Sequence, residues 1–166
     1  MTRISHEIQI DAAKDDVWAA IADLGAIQDF HPGVKKSYYT TEQESGVGAS
    51  RHCDLKPFGS VEERATEWKE GESLALEIYD GEKTPPFKSA IAHMSVEANA
   101  DGTIARLALE YELKFGPLGR LMDRFMVKRQ FDKVVPAILS GLKRHMERGA
   151  RSNGNGKPIR KELNHV

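Results

Sequence analysis

Three things are scarce in this chain, and each scarcity closes off a class of function. There is one cysteine, Cys53, in 166 residues. No internal disulfide framework can therefore hold the fold, and a cytoplasmic setting is the expectation. Net charge is nearly absent, with 24 Lys and Arg against 25 Asp and Glu. The whole-chain charge thus gives no electrostatic reason to expect nucleic acid or anionic lipid as the main partner. Long apolar runs are missing, and the opening Met1-Thr2-Arg3-Ile4-Ser5-His6-Glu7 is polar. Neither a signal peptide nor stable membrane insertion is expected.

Several chemical signatures are missing too. His6, His31, His52, His93, His145 and His165 show no His-x-x-x-His, His-x-His or facial-triad spacing, so no metal site is expected. Gly46-Val47-Gly48-Ala49-Ser50 is not a nucleophile elbow, and Arg51 stands where a dinucleotide fingerprint needs its third glycine. No cofactor is expected. His52, Cys53 and Asp54 are adjacent only in sequence, because strand alternation sends Cys53 inward and its neighbours outward. The cations Lys143, Arg144, Arg148, Lys157, Arg160 and Lys161 read as a solvated helix end and tail rather than a nucleic-acid patch.

What is present is a run of strands followed by a long helix. Ile4 to Ile10 alternates with period two and reads as a half-buried strand. Val17, Ile21 and Leu24 then share a helical face behind Asp15 and Asp16, and a second short helix is expected from Ala26 to Phe30. Six strands follow between Val34 and Phe115, and a helix from Leu118 to Gly149. A sheet with one apolar face must cover it, and a helix of this length, at about 1.5 Å per residue, can cross the sheet. A single helix over a curved sheet leaves space beneath it, which points to a cavity for a mostly apolar molecule.

Parity assigns the inward residues. Cys53 and Leu55 set one face of their strand and carry Arg51 with them. A four-residue turn at 69–72 sets Trp68 opposite Ser73, Ala65 opposite Leu76 and Glu63 opposite Ile78, so Val61, Glu63 and Ala65 face inward. Asp101-Gly102 reads as a two-residue hairpin pairing Val96 with Leu107, Met94 with Leu109, Ala92 with Tyr111 and Ala90 with Leu113. It also sets Glu97 opposite Arg106. The helix stripe runs Leu118, Leu121, Met122, Phe125 and resumes at Phe131, Val134, Val135, Ile138, Leu142; it drifts near Lys128-Arg129-Gln130 and Pro136 lies inside the helix, so a bend or break is expected between 128 and 136. Residues 1–149 form one domain, and 150–166, with Ser152-Asn153-Gly154-Asn155-Gly156, read as a disordered tail.

Five strings in order carry a family resemblance. They are Val17-Trp18-Ala19-Ala20-Ile21-Ala22-Asp23-Leu24, Phe30-His31-Pro32, Gly46-Val47-Gly48-Ala49-Ser50-Arg51, Glu63-Arg64-Ala65-Thr66-Glu67-Trp68 and Gly116-Pro117-Leu118-Gly119-Arg120-Leu121-Met122. Together they resemble the START-like superfamily, also called SRPBCC, and within it the small bacterial polyketide cyclase/dehydrase-type and MxaD-like members. The resemblance implies an α+β helix-grip fold, START/Bet v 1-like, with a seven-stranded antiparallel sheet wrapped around a long C-terminal helix and two short helices after the first strand. It also implies a hydrophobic pocket for lipids, hormones or polyketides, with cyclisation or dehydration in a minority of members.

The expected partner is a hydrophobic or amphipathic small molecule. Arg51 and Glu63 are the sharpest chemical feature, because both point inward on adjacent strands, where a charge must be paired. They are expected to orient a polar group of a ligand. In the alternative, a cyclase-like enzyme, Glu63 is acid or base, Arg51 steadies an oxyanion, and His31 or Tyr111 assists. A third reading is a protein-interaction module of the co-chaperone type. The remaining expected ligand contacts are Phe30, Cys53, Leu55, Leu76, Ile78, Phe87, Ala90, Ala92, Met94, Leu107, Leu109, Tyr111, Met122, Phe125 and Met126. Thr84-Pro85-Pro86-Phe87 and His31-Pro32-Gly33 are expected at the pocket mouth.

Overall fold

The computed structural model describes the backbone of residues 1–153 and the side chains of residues 1–148. Strand β1 (Thr2–Ile10) leads into helix α1 (Lys14–Ala22) and a 3-10 turn (Leu24–Asp29). Six strands then follow: β2 (Val34–Tyr39), β3 (Ser50–Leu55), β4 (Ser60–Lys69), β5 (Ser73–Glu82), β6 (Phe87–Asn99) and β7 (Gly102–Leu113). All seven join one antiparallel sheet in the order β1-β7-β6-β5-β4-β3-β2. The chain continues through α2 (Gly116–Met122), a π-helical turn (Asp123–Val127) and the long helix α3 (Lys128–Asn153). This is the expected helix-grip fold.

Local chemistry explains the elements. Val17, Trp18 and Ile21 bury one face of α1, and Asp15 and Asp16 complement the dipole at its start. Trp18 meets Trp68 edge-on at 5.7 Å, and both indole N–H groups donate to the Glu70 carboxylate at 2.7 Å, which clips α1 to the β4–β5 turn. Helix α3 packs mainly on β1 and β7, with Val135, Leu139 and Leu142 fully buried. Ile10, Ala105, Leu107 and Leu109 belong to the same core.

Several expectations change in detail. The last hairpin turns at Ala100-Asp101, because Asn99 pairs with Gly102, so Met94 faces Leu107, Ala92 faces Leu109 and Ala90 faces Tyr111. The register moves by two, so every inward residue keeps its face. Gly102, at φ 121, is needed beside β1 rather than at the centre of the turn: a Cβ there would lie 2.4 Å from the Ile10 carbonyl oxygen. Arg106 still reaches Glu97, diagonally, at 2.7 Å. A bulge between Ala65 and Glu67 sets Trp68 opposite Leu74, while Ala65–Leu76 and Glu63–Ile78 pair as expected.

The helical break lies earlier than expected. It is the π turn at Asp123–Val127, and α3 runs unbroken past Pro136. The carbonyl of Asp132, which Pro136 cannot serve, belongs to an exposed residue where water can take the place of the N–H. The π turn rotates the stripe, bringing Val127 into the core and leaving Phe125 (56% exposed) and Met126 (67%) at the surface. Those two residues therefore do not line the inner face. Helix α3 continues to Asn153, into the segment expected as tail from residue 150, and residues 154–166 lie outside the described residues.

Candidate functional site

The inner face of the sheet carries one buried charged cluster. Arg51 and Glu63 are direct cross-strand neighbours on β3 and β4, and Arg51 Nε donates to Glu63 Oε2 at 2.6 Å. Their side chains are 4% and 11% exposed. Arg51 Nη1 also donates to the Leu24 carbonyl at 3.1 Å, tying the sheet to the 3-10 turn, and the Cys53 thiol donates to Glu63 Oε2 at 3.7 Å. Burial alone would depress the guanidinium, but the carboxylate beside it prevails and the Arg51 pKa is raised. Burial, reinforced by Glu63, pushes the Cys53 thiol up to about 12, so it is a packed thiol rather than a nucleophile.

His31 stands near this pair, partly buried at the end of the 3-10 turn. Its pKa falls to about 4, first through burial, with Glu63 opposing and Arg51 assisting. The Gly33 amide donates to His31 Nδ1 at 3.0 Å. The neutral ring therefore carries its proton on Nε2 and offers a donor there, not a lone pair. The folded protein takes up the His31 proton only near pH 4, against 6.5 for the free side chain. His31 thus leaves stability untouched above about pH 6.5 and erodes it as pH falls towards 4, by up to about 3 kcal/mol. Urea unfolding of His31→Gln should show a shallower acid limb than wild type over that window. Superimposable acid limbs would show that His31 titrates normally.

Tyr111 is fully buried, but its hydroxyl donates to Asp123 in the π turn. Burial and then that carboxylate raise its pKa. Thr2 Oγ1 donates to the other Asp123 oxygen at 2.6 Å. Asp123 thus fastens the π turn to β1 and β7, a role that hydrophobic spacing does not reveal. Its signal was a lone acid among Leu118, Leu121, Met122 and Phe125. Phe131, a member of the helix stripe, packs on Tyr111 and Phe87 at ring separations of 5.3 and 6.1 Å.

The sheet splits at one end. Strands β5 and β6 pair only from Ser73–Ser95 to Glu77–Ile91, then part. A recess of about 190 Å³ lies at the split, lined by Ile78, Gly81, Thr84, Pro85, Pro86 and Phe87 among others. Ile78 on β5 pairs with Glu63 on β4, so the recess begins one strand from the charged pair. Hydrogen bonds from Lys56 N to the Gly33 carbonyl and from Lys114 N to the Pro86 carbonyl place four loops on the same rim. They hold His31 to Gly33, Lys56 to Gly59, Lys83 to Pro86, and Lys114 to Gly116.

Of the other expected contacts, Leu76, Ala90, Met94, Leu107 and Leu109 are buried on the inner face. Leu55, Ile78, Phe87, Ala92 and Met122 are half-buried against the core. Phe30 is buried but turned to α3, tilted against His145 at 6.4 Å, away from the rest of the set.

Comparison with solved structures gives the same architecture at low identity. The Zhui aromatase/cyclase from Streptomyces sp. R1128 aligns with a TM-score of 0.79 and 15% identity, over 93% of this chain and 99% of that one. A START superfamily protein from Mycobacterium smegmatis aligns with a TM-score of 0.68 and 13% identity, over 88% and 97%. Major latex-like protein 151 from Panax ginseng aligns with a TM-score of 0.68 and 12% identity, over 87% and 97%. At such identities the likeness is one of fold. No curated protein matches the sequence. Residues 1–147 match the family described as polyketide cyclase/dehydrase and lipid transport, and the chain belongs to that family.

Proposed function

We propose that the protein binds and carries, or senses, a small hydrophobic or amphipathic molecule with a hydrogen-bonding polar group. The observation that carries this reading is the split between β5 and β6, which opens beside Ile78 and so next to the buried Arg51–Glu63 pair. An apolar body would lie on Ile78, Phe87, Ala92 and Leu109. A carbonyl or hydroxyl would meet His31 Nε2–H and the Arg51–Glu63 pair. Burying roughly 300 Å² of apolar ligand surface supplies about 7 kcal/mol gross. After association costs, affinities of about millimolar to micromolar are expected, tighter where the polar contacts form.

Binding is favoured over cyclase-type catalysis by how the candidate groups are engaged. His31 has its Nδ1 lone pair occupied by Gly33 and Tyr111 is committed to Asp123, which leaves Glu63, ion-paired to Arg51 through Oε2, as the one candidate with lone pairs to offer. A general base needs a free lone pair near the substrate. Mass spectrometry of molecules co-purified with the full chain, followed by a thermal-shift panel of lipids and polyphenols, tests the reading. Glu63→Gln should change affinity for ligands with a polar head and leave purely apolar ligands bound. No shift by any ligand would sink it. Background-corrected turnover of a poly-β-ketone by wild type, falling about 100-fold or more in Glu63→Gln with binding kept, would favour the cyclase.

A further inference from the structure

The formal charge of −1 averages over an uneven chain. Between positions 114 and 129 stand five cations, Lys114, Arg120, Arg124, Lys128 and Arg129, and a single carboxylate, Asp123, a local charge of +4. Asp123 is turned inward to the Tyr111 and Thr2 hydroxyls. Lys128 pairs with Asp132, but Arg120, Arg124 and Arg129 have no carboxylate partner among the described residues. Interleaved with these cations are the large apolar side chains that α2 and the π turn leave outside. Leu118 is 69% exposed, and Leu121, Phe125 and Met126 are exposed with it. Steps of three and four residues put Leu118, Leu121 and Phe125 in one row.

The row begins at the pocket rim. Phe115, exposed and at φ 71, precedes α2 there. Phe58 is exposed on the Lys56 to Gly59 loop farther along the same rim, beyond the loop of Lys83, whose Nζ lies 4.9 Å from its ring centre. An exposed apolar row interleaved with unpaired cations marks an interaction face. Its occupant must accept both components. A second copy of this chain, related by a twofold axis, would set Arg120 and Arg124 against their own equivalents. An anionic bilayer satisfies both, since its phosphates take the guanidinium groups and its interfacial zone takes the aromatic and aliphatic tips. No helix among the described residues is long and apolar enough to cross a membrane, and this face requires only contact with a surface.

We infer that α2 and the π turn, with Phe58 and Phe115, form a docking face for an anionic phospholipid surface that places the pocket mouth against the lipid. The inference goes beyond small-molecule binding and does not depend on it: a protein that bound no ligand in the panel above would still dock. The test is flotation of the full chain with vesicles of phosphatidylcholine alone, or mixed with phosphatidylglycerol, at low and high salt. The protein should float with the anionic vesicles at low salt only. Combining Arg120→Gln with Arg124→Gln should weaken binding about tenfold or more. Combining Leu121→Ser with Phe125→Ser leaves the charge unchanged and should abolish flotation. All four side chains are exposed, so thermal melts should match wild type. Equal binding to neutral vesicles, no flotation at low salt, or flotation indifferent to the apolar pair would overturn the inference. So would a dimer in light scattering that Phe125→Ser dissociates, which would reassign the face to self-association.

Discussion

Replacing Arg51 by Met should destabilise the protein by about 3–5 kcal/mol, read as a fall in the urea midpoint with the slope unchanged. The cost is not the value of the ion pair. It arises because Glu63, 11% exposed, loses the Nε that faces it and is left as a charge in an apolar surrounding. Removing the Arg51 donor to the Leu24 carbonyl adds to the loss. Glu63→Leu should cost a similar amount by stranding the guanidinium. The double replacement should recover much of the sum, because two apolar residues of suitable volume leave no unpaired charge. Additive single costs in that cycle would show that the two side chains act separately. A loss under 1 kcal/mol for Arg51→Met would show that water reaches the pair freely.

Gly141→Ala should be the most damaging conservative change in α3. Helix propensity alone predicts a gain of about 1 kcal/mol. A Cβ at this position, however, would lie 2.0 Å from the Phe30 carbonyl oxygen and 3.1 Å from its carbon. The obstacle is backbone, so no rotamer relieves it, and helix and loop must separate. A net loss of about 2–3 kcal/mol is expected. Because Phe30 immediately precedes His31, the same displacement should loosen the burial that depresses the His31 pKa, and the acid limb of stability should become shallower. A variant as stable as wild type would show that the loop is not pinned by the helix.

The sequence carried the sheet almost completely, and the reason is periodicity. Alternation in Val61-Glu62-Glu63-Arg64-Ala65 and in the strand from Ala90 to Val96 can be satisfied by only one face, so even the hairpin displaced by two residues kept its inward set. Arg51 and Glu63 were legible for the same reason, as charges on apolar parity. The helix was less legible. Leu118, Leu121 and Phe125 have the spacing of a buried stripe, and nothing in that spacing announces a π turn that rotates it outward. The turn is held through Asp123, whose partners Tyr111 and Thr2 are brought to it by strands distant in sequence. Hydrophobic pattern reports which side of an element is apolar. It does not report whether that side is covered.

The position of β1 has a consequence for how the chain is made. Strands β2 to β7 form a meander in which each strand is hydrogen-bonded to the one synthesised just before it. Strand β1 is the exception, since its one partner is β7, with Thr2 beside Tyr111 and Ile10 beside Thr103. On a ribosome the first strand therefore emerges long before the surface that receives it, and it must wait through synthesis of the entire meander. Arg3, His6 and Glu7, all exposed on β1, keep the waiting segment hydrated and make it a poor match for another nascent edge. Closure of the sheet is thus a late event, since it must await β7, the last of the seven strands to be made.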